Sequence, residues 1–173
     1  MVAVDVGKPV MLINSDIALY QDQQDFIRQW VETPDKCLQF GIRWNHRVGK
    51  GVQTAQQEGW GIDAFRFTPE MAQSLPDIGY GIGLPMWDYW IPWHFRVAGY
   101  SFRADPRPVM YHERHPINWS QADHNSGWDR LYAHYKLVMP KFADKRPGCN
   151  PVDINRQIQV IRAEAMKNAE SAF

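Results

Sequence analysis

The sequence predicts an α/β fold in which a mixed sheet is flanked by helices. The short, continuous apolar run Val10–Ile13 is typical of a central strand that is covered on both faces. Strand signals and helix signals then alternate along the chain, and no internal repeat or low-complexity tract interrupts them. With 173 residues, the chain is long enough to bury one compact core.

The first half of the chain contains two further strand signals and one helix start. Leu38–Trp44 and Ile62–Phe67 alternate well enough for strands, and the polar stretch Asn45–Gly59 between them is expected to be a long surface loop. Thr68-Pro69-Glu70 predicts a helix start, because Thr caps, Pro fits the first turn and Glu favours the helix dipole. That helix is expected to end near Leu75.

An aromatic helix is predicted next. Trp87–Ala98 has helical spacing, and Gly99 follows it as the commonest stop signal. Pro92 lies inside this segment, which would require the helix to begin late, near Trp90.

Short strands and then helices complete the chain. Strands are expected near Tyr100–Arg103 and Pro108–Tyr111. Gly127–Val138 has helical spacing, and Asp153 is placed to cap a final amphipathic helix.

Charge and hydropathy exclude two classes of partner. Basic and acidic residues number 19 each, so the formal net charge is zero and no basic field attracts nucleic acid or an acidic membrane. No apolar run is long enough to span a bilayer, and the first residues lack the features of a signal peptide. A cytoplasmic protein is therefore expected.

Polar residues stand at the ends of three predicted elements. Asn14-Ser15-Asp16 closes the first strand, Asp88 opens the aromatic helix, and His112 lies at the end of the last strand. Taken singly, each residue fits a turn, a helix cap or a structural histidine. Their order along the chain carries the functional signal.

In this order the residues resemble the GT-A glycosyltransferases, especially the family 2-like group. Asn14-Ser15-Asp16 is similar to the family's Asp-x-Asp element, and Gly61–Phe67 is similar to its downstream strand with a Gly and aromatic residues. Asp88 corresponds to the acidic residue that opens a helix, and Val109–Arg114 to the strand that ends in a metal-binding His. The resemblance covers roughly residues 10–114 and departs from the family pattern at Asn14, where the family usually has Asp.

The resemblance implies a partial GT-A-like domain. Residues 1–125 would form the catalytic half-domain, and residues 126–173 a C-terminal helical extension packed on the same domain. Only about a dozen residues precede Asn14, whereas the family has a nucleotide-binding half there. We therefore expect a partner chain or a self-associating copy to supply that half and to cover the exposed sheet edge.

The activity implied by the resemblance is sugar transfer from a nucleotide-sugar donor to a hydroxyl acceptor, with inversion. Asp16 and His112 would bind Mn²⁺ or Mg²⁺, because a divalent cation neutralises the leaving diphosphate as a Lewis acid. Asp88 would be the catalytic base, since the acceptor hydroxyl needs a carboxylate to take its proton.

The resemblance also implies residues that bind the two substrates. Asn14 and Asp63 would lie on the nucleotide and donor side, and Trp87, Trp90 and His115 beside the acceptor. The helical spacing of the two tryptophans is equally typical of side chains that fill a core.

Two other functions stay open from the sequence. A non-catalytic binding or structural module would bury Asp88 as a helix cap and have no cleft. A small metal-dependent hydrolase would bring Asp16, His112 and either His115 or His124 onto one metal, although no compact His-x-His or His-Glu-x-x-His spacing is present. A transferase requires Asp16, Asp88 and His112 to converge on one open cleft.

Overall fold

The computed structural model describes residues 7–19, 28, 30, 32–34, 36–58, 61–81, 83–116, 118–138 and 151–170. The strands are β1 Val10–Ile13, β2 Ile17–Leu19, β3 Cys37–His46, β4 Gln56–Gln57, β5 Ala64–Phe67 and β6 Ser101–Glu113. The helices are α1 Pro69–Ser74, α2 Trp87–Val97, α3 Gln121–Val138 and α4 Pro151–Glu170. These elements form one six-stranded mixed sheet with helices, which confirms the predicted α/β class.

Strand order in the sheet is β1-β5-β3-β6-β2, and β4 adds to β3 outside this path. Only β3 and β6 run parallel, while the other neighbours are antiparallel. Val10–Ile13 is therefore a strand at the end of the sheet among the described residues, and the expectation of a central strand was wrong. Its continuous apolar run has another cause: Val10 and Leu12 pack on one core cluster, and Met11 and Ile13 pack on the other.

Strand β6 replaces the two short strands that the sequence predicted. Between Gly41 and Arg43 of β3, the register with β6 shifts, so that residues 106–109 form an irregularity in the ladder. Both prolines of the strand fall there, where a missing N–H does no harm to the pairing. The Asp105 carboxylate accepts hydrogen bonds from the backbone and the guanidinium of Arg107, which holds the irregular segment in place.

The expected loop between β3 and β5 is shorter than predicted. Strand β3 continues through Asn45 and His46, a 3₁₀ turn covers Val52–Thr54, and β4 pairs back on the end of β3. Asn45 is polar yet buried, because its side chain is hydrogen-bonded on both sides. The last two residues of β3 were therefore assigned to a loop from the sequence because they are polar.

The two helices near the middle of the chain begin in different ways. Thr68 caps α1, since its Oγ1 accepts a hydrogen bond from the backbone N–H of Met71 at 3.2 Å. Helix α2 begins at Trp87 and includes Pro92, so the expected late start near Trp90 was wrong. The N-cap of α2 is Met86, whose φ of 76° is a left-handed conformation.

Helix α3 begins at Gln121, six residues before the start that the sequence predicted. Ser120 Oγ accepts a hydrogen bond from the backbone N–H of Asp123 at 3.2 Å, and Asp123 Oδ2 accepts one from the Ser120 N–H at 2.8 Å. This reciprocal cap fixes the first turn, and it also lowers the pKa of Asp123. Gly127, read as the start, lies inside the helix and is buried.

Helix α4 packs across β6 and α2. It begins at Pro151, two residues before the predicted cap at Asp153. Its buried stripe contains Ile158, Ile161 and Ala165, as the amphipathic pattern predicted. None of the helices in the described ranges is both long and apolar enough to cross a membrane.

Aromatic rings of the sheet and of α2 fill the main core. Phe65 meets Trp87 edge to face with ring centroids 5.5 Å apart, and Phe67 meets Phe95 at 5.9 Å. Trp90 is also buried, with an exposed fraction of 7%. The high aromatic content is therefore used mainly for packing, which holds the first turn of α2 against the sheet.

Candidate metal and acid–base site

A cleft of about 620 Å³ opens where β6 ends and α2 begins. Its walls come from the turn after β1, the residue directly before β5, the first turn of α2 and the segment that joins β6 to α3. The polar residues that line it include Asn14, Asp16, Asp63, Asp88, His112 and His115. The cleft thus gathers the side chains that the sequence singled out from four separate segments.

Strand pairing brings Asp16 next to His112. β1 pairs with β5 and β2 pairs with β6, so the turn between them crosses from one side of the sheet to the other. This turn is closed by a hydrogen bond from the Ile17 N–H to the Asn14 carbonyl at 3.2 Å. Because Ile17 pairs with His112, the preceding residue Asp16 reaches the same end of β6.

Asn45 holds the imidazole of His112 in one orientation. The two residues are paired in the parallel ladder, and Asn45 Oδ1 lies 2.9 Å from His112 Nδ1. The Asn45 amide N–H₂ donates to the Glu58 carboxylate, which only accepts, so the amide cannot be reversed. His112 therefore donates through Nδ1 and turns the lone pair of Nε2 toward the cleft.

His115 presents a second imidazole lone pair at the same point. Its Nδ1 lies 2.7 Å from the Pro116 carbonyl oxygen, which only accepts, so Nε2 is again the free acceptor. The two Nε2 atoms are 3.3 Å apart. Asp16 Oδ2 lies 3.2 Å from His115 Nε2 and 3.5 Å from His112 Nε2.

Asp16, His112 and His115 form a cluster that can bind a metal ion. Three acceptor atoms that face one another repel unless a proton or a cation lies among them. Their separations match the roughly 3.3 Å between ligands of a tetrahedral ion with bonds of about 2.0 Å. His115, expected beside the acceptor, thus lies with the two residues expected to bind metal.

The two imidazoles differ in proton affinity. Burial lowers the pKa of His112, and the cation of Arg43 lowers it further. The hydrogen bond to Pro116 and then the bond to Asp16 raise the pKa of His115. A proton on His115 is therefore the main competitor of a metal ion, so metal affinity should fall as the pH is lowered.

Asn14 and Asp63 belong to the wall of the cleft rather than to the cluster. Asn14 Nδ2 donates to Asp63 Oδ1 at 2.8 Å, and Arg43 Nη1 lies 3.0 Å from Asp63 Oδ2. Arg43 Nη2 is also 3.8 Å from Glu58 Oε2. Burial raises the pKa of Asp63, although Arg43 offsets part of this effect.

Asp88 is a separate carboxyl group in the same cleft. It is half-buried in the first turn of α2, where its carboxyl group accepts hydrogen bonds from the backbone N–H groups of Asp88 and Tyr89, although the N-cap position itself is Met86. Removal from water, followed by the nearby charge of Asp63, raises the pKa of Asp88 to about 7. A carboxyl group of this kind can take up or release a proton near neutral pH.

The aromatic side chains near the cleft divide into core and rim. Trp87 lines the cleft but is 4% exposed, and Trp90 lines a separate apolar cavity. Trp119 also lines the cleft, is 36% exposed, and stacks on His124 with ring centroids 5.2 Å apart and an interplanar angle of 17°. Trp128 Nε1 donates to His124 Nε2 at 3.2 Å, which fixes that ring under Trp119.

Sequence reasoning missed three side chains that shape the site: Arg43, Asn45 and Trp119. Arg43 and Asn45 are two residues apart, so extending the period of β3 past Trp44 would have placed them on one face. For Trp119, the signal was the Ser120-x-x-Asp123 cap, which puts the tryptophan just before α3.

Comparisons with known proteins found no relative of this chain. No family model matches the chain, and no curated protein or solved structure matches it either. The cleft itself offers an Asp–His–His cluster and a nearby carboxyl group of raised pKa.

We predict that Mn²⁺ binding depends on the three clustered side chains and on the residue that orients one of them. In calorimetry at pH 7.5, Asp16→Ala, His112→Ala and His115→Ala should each weaken Mn²⁺ binding by about tenfold or more. Asn45→Leu should weaken it by roughly 10–100-fold, because an unsupported imidazole loses its tautomer and orientation.

His124→Ala is the matched control, since His124 lines the same cleft outside the cluster and should keep the affinity of the unmodified chain. Unchanged Mn²⁺ affinity in all three cluster variants would rule out a metal site here.

The raised pKa of Asp88 predicts how stability depends on pH. A folded pKa near 7 and an unfolded pKa near 3.9 mean that the folded state binds the proton more tightly. The contribution of Asp88 to the free energy of unfolding should therefore fall as pH rises from about 4 to 7, and Asp88→Asn should remove that loss. At pH 8 the variant should gain on the order of 4 kcal/mol over the unmodified chain, and at pH 4 little.

Urea unfolding at pH 4, 6 and 8 measures this difference. Asp129→Asn, at an exposed carboxylate of α3, is the control and should show no such pH-dependent gain. A gain for Asp88→Asn that is the same at all three values would mean that its pKa is not raised.

Proposed function

We propose that this chain is the acceptor-side part of a metal-dependent glycosyltransferase of the GT-A type. It would transfer a sugar from a nucleotide-sugar donor to a hydroxyl acceptor, with inversion. The observation that carries the proposal is the common cleft lined by Asp16, His112 and Asp88. Two of these side chains belong to a cluster that can hold a metal ion, and the third is a carboxyl group whose pKa is raised to about 7. This convergence is what a transferase requires of residues so far apart in the sequence.

The metal would be held by Asp16, His112 and His115. When bound, a divalent cation supplies Lewis-acid stabilisation of the charge on a leaving diphosphate. Two imidazole nitrogens favour Mn²⁺ over Mg²⁺, because Mg²⁺ prefers an all-oxygen shell. The proposed cofactor is therefore Mn²⁺.

Asp88 would act as the base for the acceptor hydroxyl. In a single displacement, the acceptor oxygen bonds to the anomeric carbon, the bond to the diphosphate breaks, and the hydroxyl proton passes to Asp88. Its raised pKa makes Asp88 a stronger base than an ordinary carboxylate, while it is still largely ionised above pH 7. Arg43 and Asn14 neutralise and bond the neighbouring Asp63, which limits the charge repulsion on Asp88.

Trp119 is the proposed contact for the acceptor sugar. An exposed indole on the rim of a polar cleft offers a flat apolar surface on which a sugar ring can stack. His124 supports its other face, so little side-chain entropy is lost on binding. Trp87 has a structural role instead. It packs in the core and so holds the first turn of α2, which carries Asp88, against the sheet.

A partner chain or a second copy of this chain is proposed to supply the nucleotide-binding half. In support, β1 pairs with β5 alone among the described residues, so no described strand covers its other edge. One feature speaks against a merely structural module, namely the open cleft.

A metal-dependent hydrolase is the second candidate, and one observation favours it. Two histidines and one carboxylate converge on a single point beside the cleft, which is a ligand set that zinc hydrolases use with an open water position. The two functions differ in product, because a hydrolase releases the free sugar or acid whether or not an acceptor is added.

The donor side of the proposal predicts a metal-dependent effect of nucleotides on stability. A panel of nucleoside diphosphates should raise the melting temperature when Mn²⁺ is present, since a ligand of the folded state stabilises it by mass action. Asp16→Ala should abolish the increase, whereas His124→Ala should keep it. No shift with any nucleotide would remove a donor site from this chain alone.

The proposed roles on the acceptor side predict that two substitutions affect different kinetic constants. Asp88→Asn should lower kcat by about 10²–10⁴-fold, because the base is lost, and should leave Mn²⁺ affinity unchanged. Trp119→Ala should raise the KM for the acceptor and leave kcat near that of the unmodified chain. Product analysis by mass spectrometry, with and without acceptor, separates transfer from hydrolysis.

Retained turnover in Asp88→Asn would take this residue out of the base role. Asp77→Asn, at an exposed carboxylate outside the cleft, serves as the matched control.

A further inference from the structure

A second, smaller pocket lies in the hairpin between β3 and β4. Its volume is about 300 Å³, and none of the three clustered metal ligands lines it. Three cationic side chains contribute to its walls, Arg47, Lys50 and Arg114, together with the imidazole of His46. The remaining lining residues are neutral and polar, so no carboxylate faces the pocket.

The residues that line this pocket carry a net positive charge. No ion pair joins Arg47, Lys50 or Arg114 to a carboxylate within the described ranges, although the chain as a whole is neutral. Glu113 pairs with His46 in the β3–β6 ladder but does not line the pocket. Cations that share a concave site repel one another, and an anion bound among them would reverse that repulsion.

Backbone hydrogen bonds hold the walls of the pocket in place. The Lys50 N–H donates to the Arg47 carbonyl at 3.0 Å, which closes the turn of the hairpin. The Arg114 N–H donates to the His46 carbonyl at 2.9 Å and ties the segment after β6 to the end of β3. The cationic residues are therefore carried by two segments that are joined to each other, as a preorganised site requires.

We propose that this pocket binds a phosphoryl group of a small ligand. One guanidinium group can bind two phosphate oxygens at once, and a lysine ammonium adds a compact positive charge. Three cationic residues around one pocket, although exposed, favour a dianionic phosphate over a singly charged carboxylate. A pocket of this volume accepts one phosphoryl group together with a small part of the molecule that carries it, but not a length of nucleic acid.

The phosphoryl pocket adjoins the metal cluster without sharing its ligands. Asn45 lines the pocket and also accepts the hydrogen bond from His112, so a single side chain separates the two sites. The inference goes beyond the proposed sugar transfer, because it needs neither a bound metal nor Asp88. It would hold equally if the cleft proved to be hydrolytic.

The test uses inorganic phosphate and pyrophosphate with the full chain in EDTA, so that metal binding does not contribute. Both anions should raise the melting temperature with a saturable dose dependence, and calorimetry should give the affinity. The double variant Arg47→Gln/Lys50→Gln should weaken phosphate binding by about tenfold or more, because two charge-assisted contacts are lost.

The matched control is Arg156→Gln/Lys167→Gln, which removes the same charge from exposed positions of α4 and should keep the phosphate affinity. Asp16→Ala should keep it too, so that failure of the metal chemistry and failure of this pocket are separate results. If the hairpin variant does not fold, Arg114→Gln tests the same contact from the other segment.

Sulfate, acetate and sodium chloride at equal ionic strength distinguish a phosphoryl site from general screening. Binding should be strongest for pyrophosphate and phosphate, weaker for sulfate, and absent for acetate and chloride. Equal shifts with every salt, or equal losses in the two double variants, would overturn the proposal.

Discussion

Strands β3 and β6 run parallel through the middle of the sheet, and the rest of the molecule is assembled on that pairing. Strand β5 adds to β3 and β2 adds to β6, while α4 packs across β6. The same register sets Asn45 beside His112, so the hydrogen bond that orients the imidazole is a consequence of the ladder. A slip of one residue between the two strands would place Asn45 and His112 on opposite faces of the sheet and dismantle the site.

The buried carboxyl groups in the wall of the cleft destabilise the fold, and this destabilisation points to a functional role. Asp63 and Asp88 are carboxyl groups held in a poorly solvated environment, and burial is the first cause of the raised pKa of each. Arg43 and Asn14 compensate Asp63, but burial and the charge of Asp63 still raise the pKa of Asp88. Groups with perturbed pKa values in a cleft are commonly functional, because packing alone would have favoured an apolar residue.

Two sites with different chemistry meet at the end of β3. On one side, a carboxylate and two imidazole lone pairs form an acceptor-only cluster suited to a cation. On the other side, the hairpin presents cations without a carboxylate and is suited to an anion. Asn45 stands between them, since it lines the second site and supports His112 of the first. A phosphorylated ligand and a metal ion could therefore be held at the same edge of the sheet.

Local patterns in the sequence determined the α/β class, the strand before α1, the Thr68 cap and the buried stripe of α4, because each depends on side-chain spacing or on a contact within a few residues. The sequence also pointed to Asp16, Asp88 and His112, which line one cleft. Only the tertiary structure decided that β1 lies at the end of the sheet among the described residues, that prolines fit inside β6, and that His115 lies beside Asp16 and His112. Periodicity reports which face of a strand is buried, whereas neighbours in a sheet and distances between loop side chains are set by register, which no local pattern contains.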